Sequence, residues 1–185
     1  MTARSRSRPR AGAMLSFDET PGAFFFGGGG QPPAVEAALA KMHAIEAAQG
    51  VTVHIVDAAA VCGPAHLASA LAHARRARER GRPKARDAKV ELMLYLSGQR
   101  QIAKAIEAVG LKRNTHGVGF AVEGDRGAAE RAMVALLHAL DLSRSDDVLS
   151  ASATKARAAG AVGTAKDAEG WETLAIEAVA MMDID

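Results

Sequence analysis

Aromatic residues are scarce in this chain, with five Phe, one Trp and one Tyr making 4% of 185 residues. Hydrophobic residues reach 49% all the same, so a core must be built from Ala, Leu, Val, Ile and Met. Cysteine is scarcer still. Cys62 alone excludes an internal disulfide framework and fits a reducing interior. No apolar run approaches the roughly 20 residues that span a bilayer, and the Arg/Ser-rich N-terminus has no apolar stretch of the kind a secretory signal carries. These absences point to a cytoplasmic protein without a membrane partner. Nucleotide-binding loops are missing too. Gly27 to Gly30 precede Gln31-Pro32-Pro33 instead of a Lys-Ser/Thr pair, so they are expected to form a flexible connector, not a phosphate cradle.

Catalytic constellations are absent as well. His54, His66 and His73 have no second cysteine or clustered carboxylates with which to hold a metal, and no paired carboxylates suit acid–base work. Cys62 with His66 four residues on suggests an activated thiolate, but a small buried cysteine before a helix accounts for the same pattern. Neither a cofactor, nor a metal, nor catalysis by this chain alone is expected. Asp146 and Asp147 are expected at the surface of a polar linker.

What the chain does have is a local excess of positive charge. The formal net charge is only +2, and the first thirteen residues carry four arginines and no acid, which leaves −2 for the rest. Between Arg75 and Arg86, seven cations (Arg75, Arg76, Arg78, Arg80, Arg82, Lys84 and Arg86) face the single acid Glu79, a charge of +6 over twelve residues. Such a field attracts a polyanion, and a cluster running from a helix into a loop suits a phosphate backbone.

Residues 1–13 offer nothing to bury and are expected to be a disordered basic tail, with 14–185 as one domain. Strands are expected near 22–26, 51–56 and 116–122. Helices are expected over 33–49 with Val35, Leu39, Met42 and Ile45 inward, over 64–80, and over 127–140. Within 64–80, His66, Ser69, His73, Arg76 and Arg80 share a second face. Residues 87–96 fit both a helix and a buried strand, and Glu91 with the unbranched Leu/Met content favours the helix. Ser97 is placed to cap a helix over 99–109 that buries Ile102, Ala105, Ile106 and Val109. A short helix near 153–159 and a final one over 171–182 complete an α+β fold. Its small, mainly antiparallel or mixed sheet of three to four strands is covered by six to seven helices.

The last helix carries apolar side chains on more than one side, with Leu174 and Met181 seven residues apart and Met182, Val179 and Ile184 widening the surface. Such a helix is buried twice, against its own domain and against something else.

A resemblance over about residues 51–185, strongest in the central third, gives these features a common meaning. Val53-His54-Ile55-Val56-Asp57, Gly63, His66-Leu67, Ser69-Ala70, His73-Ala74, the basic linker, Val90-Glu91-Leu92-Met93-Leu94 and Ser97-Gly98-Gln99-Arg100-Gln101-Ile102 resemble the kinase-binding regulatory subunits of the KEOPS complex, archaeal members above all. The resemblance implies a non-catalytic subunit that binds and stimulates the small KEOPS kinase/ATPase, and through it meets the other KEOPS subunits. It also implies a part in threonylcarbamoyladenosine formation by holding tRNA at its single-stranded 3′ CCA end. On this reading the tRNA surface comprises His66, His73, Arg75, Arg76, Arg82, Lys84, Arg86, Ser97, Gln99 and Arg100. Kinase binding then falls to Leu174, Val179, Met181, Met182 and Ile184. Tyr95 stands where some members carry a basic residue, and its ring is offered to a base. Read without the resemblance, the basic cluster alone fits a stand-alone single-stranded RNA-binding module.

Overall fold

Three consecutive phenylalanines can all be buried only if both faces of their strand are covered. The computed structural model, which describes residues 13–184, has this arrangement, while the expected disordered tail falls, but for Ala13, outside the described residues. Four strands, β1 (Ala23–Gly29), β2 (Thr52–Asp57), β3 (Gly117–Glu123) and β4 (Ser143–Arg144), form one sheet in the order β2-β3-β1-β4. Every pairing is antiparallel, with Phe26 opposite Phe120 and Ile55 opposite Phe120 across the central strand. Phe24 and Phe26 point to one face, where α1 (Val35–Gln49) and α5 (Arg126–Ala139) pack; Phe25 points to the other. There α2 (Pro64–Glu79), α3 (Ala88–Ser97) and α7 (Ala168–Met181) supply Leu67, Leu71, Leu92, Leu96 and Val179. With α4 (Ile102–Val109) and α6 (Ala153–Ala158), seven α-helices cover the sheet among the described residues, an α+β fold.

The glycines after the phenylalanines are strand, not connector. β1 continues through Gly29 because the segment after α5 crosses directly over it: a Cβ on Gly27 would collide with the Ser145 carbonyl. The Gly27 amide donates to Asp146 Oδ1 at 2.8 Å, so that carboxylate closes the sheet edge instead of sitting idle on a linker. Close approach, not flexibility, is what glycine supplies here.

Two helices expose part of the face expected inward, while Met42 and Ile45 in the first and Ala105 and Val109 in the second are inward as expected. In α1 the inward residues are Ala38 and Met42, and Leu39 is exposed. In α4 they are Ala105 and Val109, leaving Ile102 and Ile106 45% and 46% exposed. In both, alanine allows the closer approach to the core. Ser97 does not open a helix. It is the last residue of α3, its hydroxyl donating to the Met93 carbonyl at 2.7 Å, and α4 starts three residues beyond Arg100's neighbour Gln99 at Ile102. Residues 87–96 are helical, capped by Asp87, whose carboxylate accepts from the Lys89 amide at 2.7 Å. The two-way pattern there arises because α3 is buried on most sides, with Glu91, Leu92, Leu94, Tyr95, Leu96 and Ser97 all inside.

Candidate nucleic-acid and partner interface

The arginine cluster is held in a defined shape by one buried acid. Glu91 is fully buried in the first turn of α3, and its carboxylate accepts from the Lys84 amide at 3.1 Å and the Ala85 amide at 2.5 Å. Ala85 is tucked between Leu94 and Ala105. The Arg82 amide donates to the Ala77 carbonyl at 2.9 Å, and the Arg78 guanidinium to the Arg86 carbonyl at 3.0 Å. The backbone of the loop is therefore tied down at several points, while Arg80, Arg82, Lys84 and Arg86 are exposed.

Where α2 ends, a pocket of about 190 Å³ opens between the loop, α3 and the C-terminus, lined by Ala77, Arg80, Arg82, Lys84, Tyr95 and Asp183. Lys84 Nζ donates to the Tyr95 hydroxyl at 3.3 Å, and that hydroxyl donates to Asp183 Oδ1 at 2.7 Å. His73 Nδ1 reaches the other oxygen of Asp183 at 2.7 Å. Arg100 extends the cluster by donating to the Ile184 carbonyl at 2.6 Å. Burial would raise the pKa of Asp183, but hydrogen bonds from Tyr95 and His73 outweigh it and the carboxyl is held below its usual range. Burial, with the hydrogen bond to Asp183 next, pushes the Tyr95 phenol up. At neutral pH this is a carboxylate and a protonated phenol.

The expected tRNA residues divide by exposure. Arg82, Lys84, Arg86 and Arg100 stand at the surface, and the side chains of Arg82 and Arg86 donate to no described residue. Arg76 and Gln99 are half-buried. Arg75 is committed elsewhere: its Nε donates to Glu123 Oε2 at 2.7 Å and its Nη1 to the Pro21 carbonyl at 3.1 Å. The other oxygen of Glu123 lies 2.6 Å from His54 Nε2, and these partners, working against burial, bring its pKa down to about 2. His66 and Ser97 are inside the protein and have no surface to offer RNA. Burial lowers the pKa of His66 to about 4, against a smaller opposing effect of the Leu96 backbone. Nor is Tyr95 available for stacking. Its ring is 1% exposed and lies in the core, because the hydroxyl is directed outward to Asp183.

The expected partner residues divide in the same way. Val179 and Met182 are core, Leu174 is half-buried, and Met181 and Ile184 are 59% and 58% exposed. The two expected surfaces meet at the C-terminus, where Asp183 lies between these two apolar side chains in sequence and lines the basic pocket. Sequence reasoning missed Glu91, Asp183 and Glu123. Glu91 had a visible signal, as the one acid in an apolar run following a cationic loop; the other two depend on distant chain segments.

The His66 ring is not aimed at the Cys62 thiol. His66 Nδ1 accepts from the Cys62 backbone amide at 3.1 Å, while the thiol faces the Ser152 and Trp171 carbonyls at 3.6 and 3.5 Å. Burial raises the pKa of this thiol, so the geometry is that of a packed cysteine.

Comparison with known proteins connects this geometry to a family. A family model described as kinase binding protein CGI-121 matches residues 35–181, from the start of α1 to the end of α7. No curated protein matches the chain.

Proposed function

Because the chain belongs to the CGI-121 family of kinase-binding proteins, the one its central motifs resemble, we propose that it is a non-catalytic regulatory subunit of the KEOPS complex. In this role it binds and stimulates the small KEOPS kinase/ATPase and holds tRNA by its 3′ CCA end, in support of threonylcarbamoyladenosine formation. The reading assigns it to the cytoplasm; among the described residues no helix is long and apolar enough to cross a membrane.

The observation that supports the RNA half is the tied-down loop, whose exposed Arg80, Arg82 and Lys84 line one pocket, with exposed Arg86 in the same loop and Arg100 bonded to the Ile184 carbonyl next to the pocket residue Asp183. A single-stranded end needs cations for its phosphates and planar groups for splayed bases, and a guanidinium serves both purposes. The kinase half is supported by the family and by exposed Met181 and Ile184, apolar side chains of the kind that fit a partner's surface. Since Met182 is core, the kinase surface is better probed by substitution than by truncation. The test is a pull-down and ATPase assay with the KEOPS kinase. Wild type is expected to bind and stimulate it, and the double variant Met181→Asp/Ile184→Asp to do neither while keeping its melting temperature. Full binding by that variant would move the interface elsewhere. RNA binding without any kinase binding by wild type would favour the stand-alone RNA module.

A further inference from the structure

The basic pocket contains an acid that RNA binding does not require. Among the described residues, three cations, Arg80, Arg82 and Lys84, line it against the single carboxylate of Asp183. That carboxylate is held by Tyr95 and His73, so neither arginine is used to fix it, and neither Arg80 nor Arg82 side chain donates to any described residue. Lys84 is the one lining cation with a partner, the Tyr95 hydroxyl that in turn holds Asp183. The pocket thus has more positive charge than its own acid neutralises, and two guanidinium groups suited to bidentate contact with a tetrahedral anion.

We infer that this pocket is a seat for one phosphate group, and that the Asp183 carboxylate keeps it closed. The inference deepens the RNA reading of the same face and rests on it only where RNA is the ligand. A phosphate entering between Arg80 and Arg82 meets Asp183 as a like charge at short range, and is accommodated when that side chain turns away. Asp183 is well placed to turn. It lies beyond the end of α7, about one-third exposed, with Met182 anchored in the core before it and exposed Ile184 after it. Besides Tyr95 and His73 on the carboxylate, Arg100 clamps the segment through the Ile184 carbonyl. A partner that grips Met181 and Ile184 therefore acts on the same few residues that close the pocket. This couples partner docking to phosphate capture through a shared segment.

The test compares wild type, Asp183→Asn, Tyr95→Phe and Glu79→Gln. Asparagine keeps the shape and still accepts from Tyr95, but removes the charge. Phenylalanine keeps the carboxylate and removes one of its restraints. Glu79 is an exposed acid on α2 that is not part of the pocket lining, so its variant reports the general field alone. Melting temperature is first measured against inorganic phosphate, with chloride at matched ionic strength as the reference. Asp183→Asn is expected to rise with phosphate, Tyr95→Phe to rise less, and wild type and Glu79→Gln to stay close to their chloride values. In a second arm Asp183→Asn is expected to bind tRNA roughly fivefold more tightly than wild type at low salt, the size of one like-charge contact at about 4 Å in bulk water. A phosphate response in Asp183→Asn no larger than in wild type, or an equal one in Glu79→Gln, would overturn the inference. A selective phosphate response without tRNA binding in any variant leaves the pocket standing and removes the RNA reading instead.

Discussion

Glu91 shows how one side chain can matter to a surface it never reaches. Its carboxylate is buried and holds two loop amides, so replacing it leaves those donors with a poorer acceptor. Glu91→Gln is expected to cost about 2 kcal/mol of stability, the scale of a hydrogen bond to a charged group, and to weaken tRNA binding although no contact is removed. Denaturant unfolding read beside a binding titration checks both effects. Two further residues set an acid-side limit on stability. His66 is held neutral, with its pKa brought down to about 4 by burial, whereas in the unfolded chain it protonates near 6.5. Below 6.5 the unfolded state binds the extra proton, so the stability present above that value is lost as pH falls towards 4, up to about 3 kcal/mol. Glu123, brought down to about 2 by His54 and Arg75, adds a loss of the same sign between 4.5 and 2. The stability of His66→Asn, measured from pH 7 to 4, is expected to slope less steeply than that of wild type. An unchanged slope would mean that another group sets it. The spacing put His66 on one face with His73 and Arg76, and the resemblance counted it with the tRNA surface; nothing local records that α3 packs against α2 there.

At the scale of elements, α7 carries two loads. Its Val179 and the capping Met182 close the core over α2, while Met181 and, beyond the helix, Ile184 remain outside. Met182→Ala is therefore expected to cost about 2–5 kcal/mol by leaving a cavity, whereas Met181→Ala should stay within about 0.5 kcal/mol of wild type. Thermal melts of the pair check this. The start of α2 depends on α7 in another way: Glu172 Oε1 accepts from the Ala65 amide at 2.7 Å. Gly63, at φ +99, lies so close that an added Cβ would collide with the Glu172 side chain. Gly63→Ala is accordingly expected to destabilise by at least about 2 kcal/mol, and a melt within a degree of wild type would contradict the packing described. The elements themselves were largely readable in the chain, because Pro64, Gly81 and the 3.6-residue stripe of α2 are local signals. The β1 glycines and the edge strand β4 were not. β4 lies more than a hundred residues from the glycines it pairs with, and glycine reads as a loop wherever the neighbour that demands it is unseen.

For the whole molecule, the antiparallel sheet sandwiched between helices explains why seven aromatic residues suffice. Phenylalanines occupy the two central strands, Phe26 stacking on Phe120 with ring centres 4.6 Å apart, and alanine-rich helices close in on both faces. The same layering brings the end of α2, the loop before α3 and the last residues of the chain together, so the basic face and the exposed end of α7 become neighbours. The sequence held both groups but not their adjacency, which depends on how α2, α3 and α7 stack. On this arrangement Arg82→Glu/Arg86→Glu is expected to weaken tRNA binding and lower the slope of log affinity against log salt by about 1.4, two single-strand phosphate contacts. Kinase binding should persist in that variant. The most direct measurement is the affinity of the wild-type protein for intact tRNA against the same tRNA trimmed of its CCA end, at one fixed salt concentration. The account predicts a clear loss of affinity on trimming, and equal affinity for the two would contradict it.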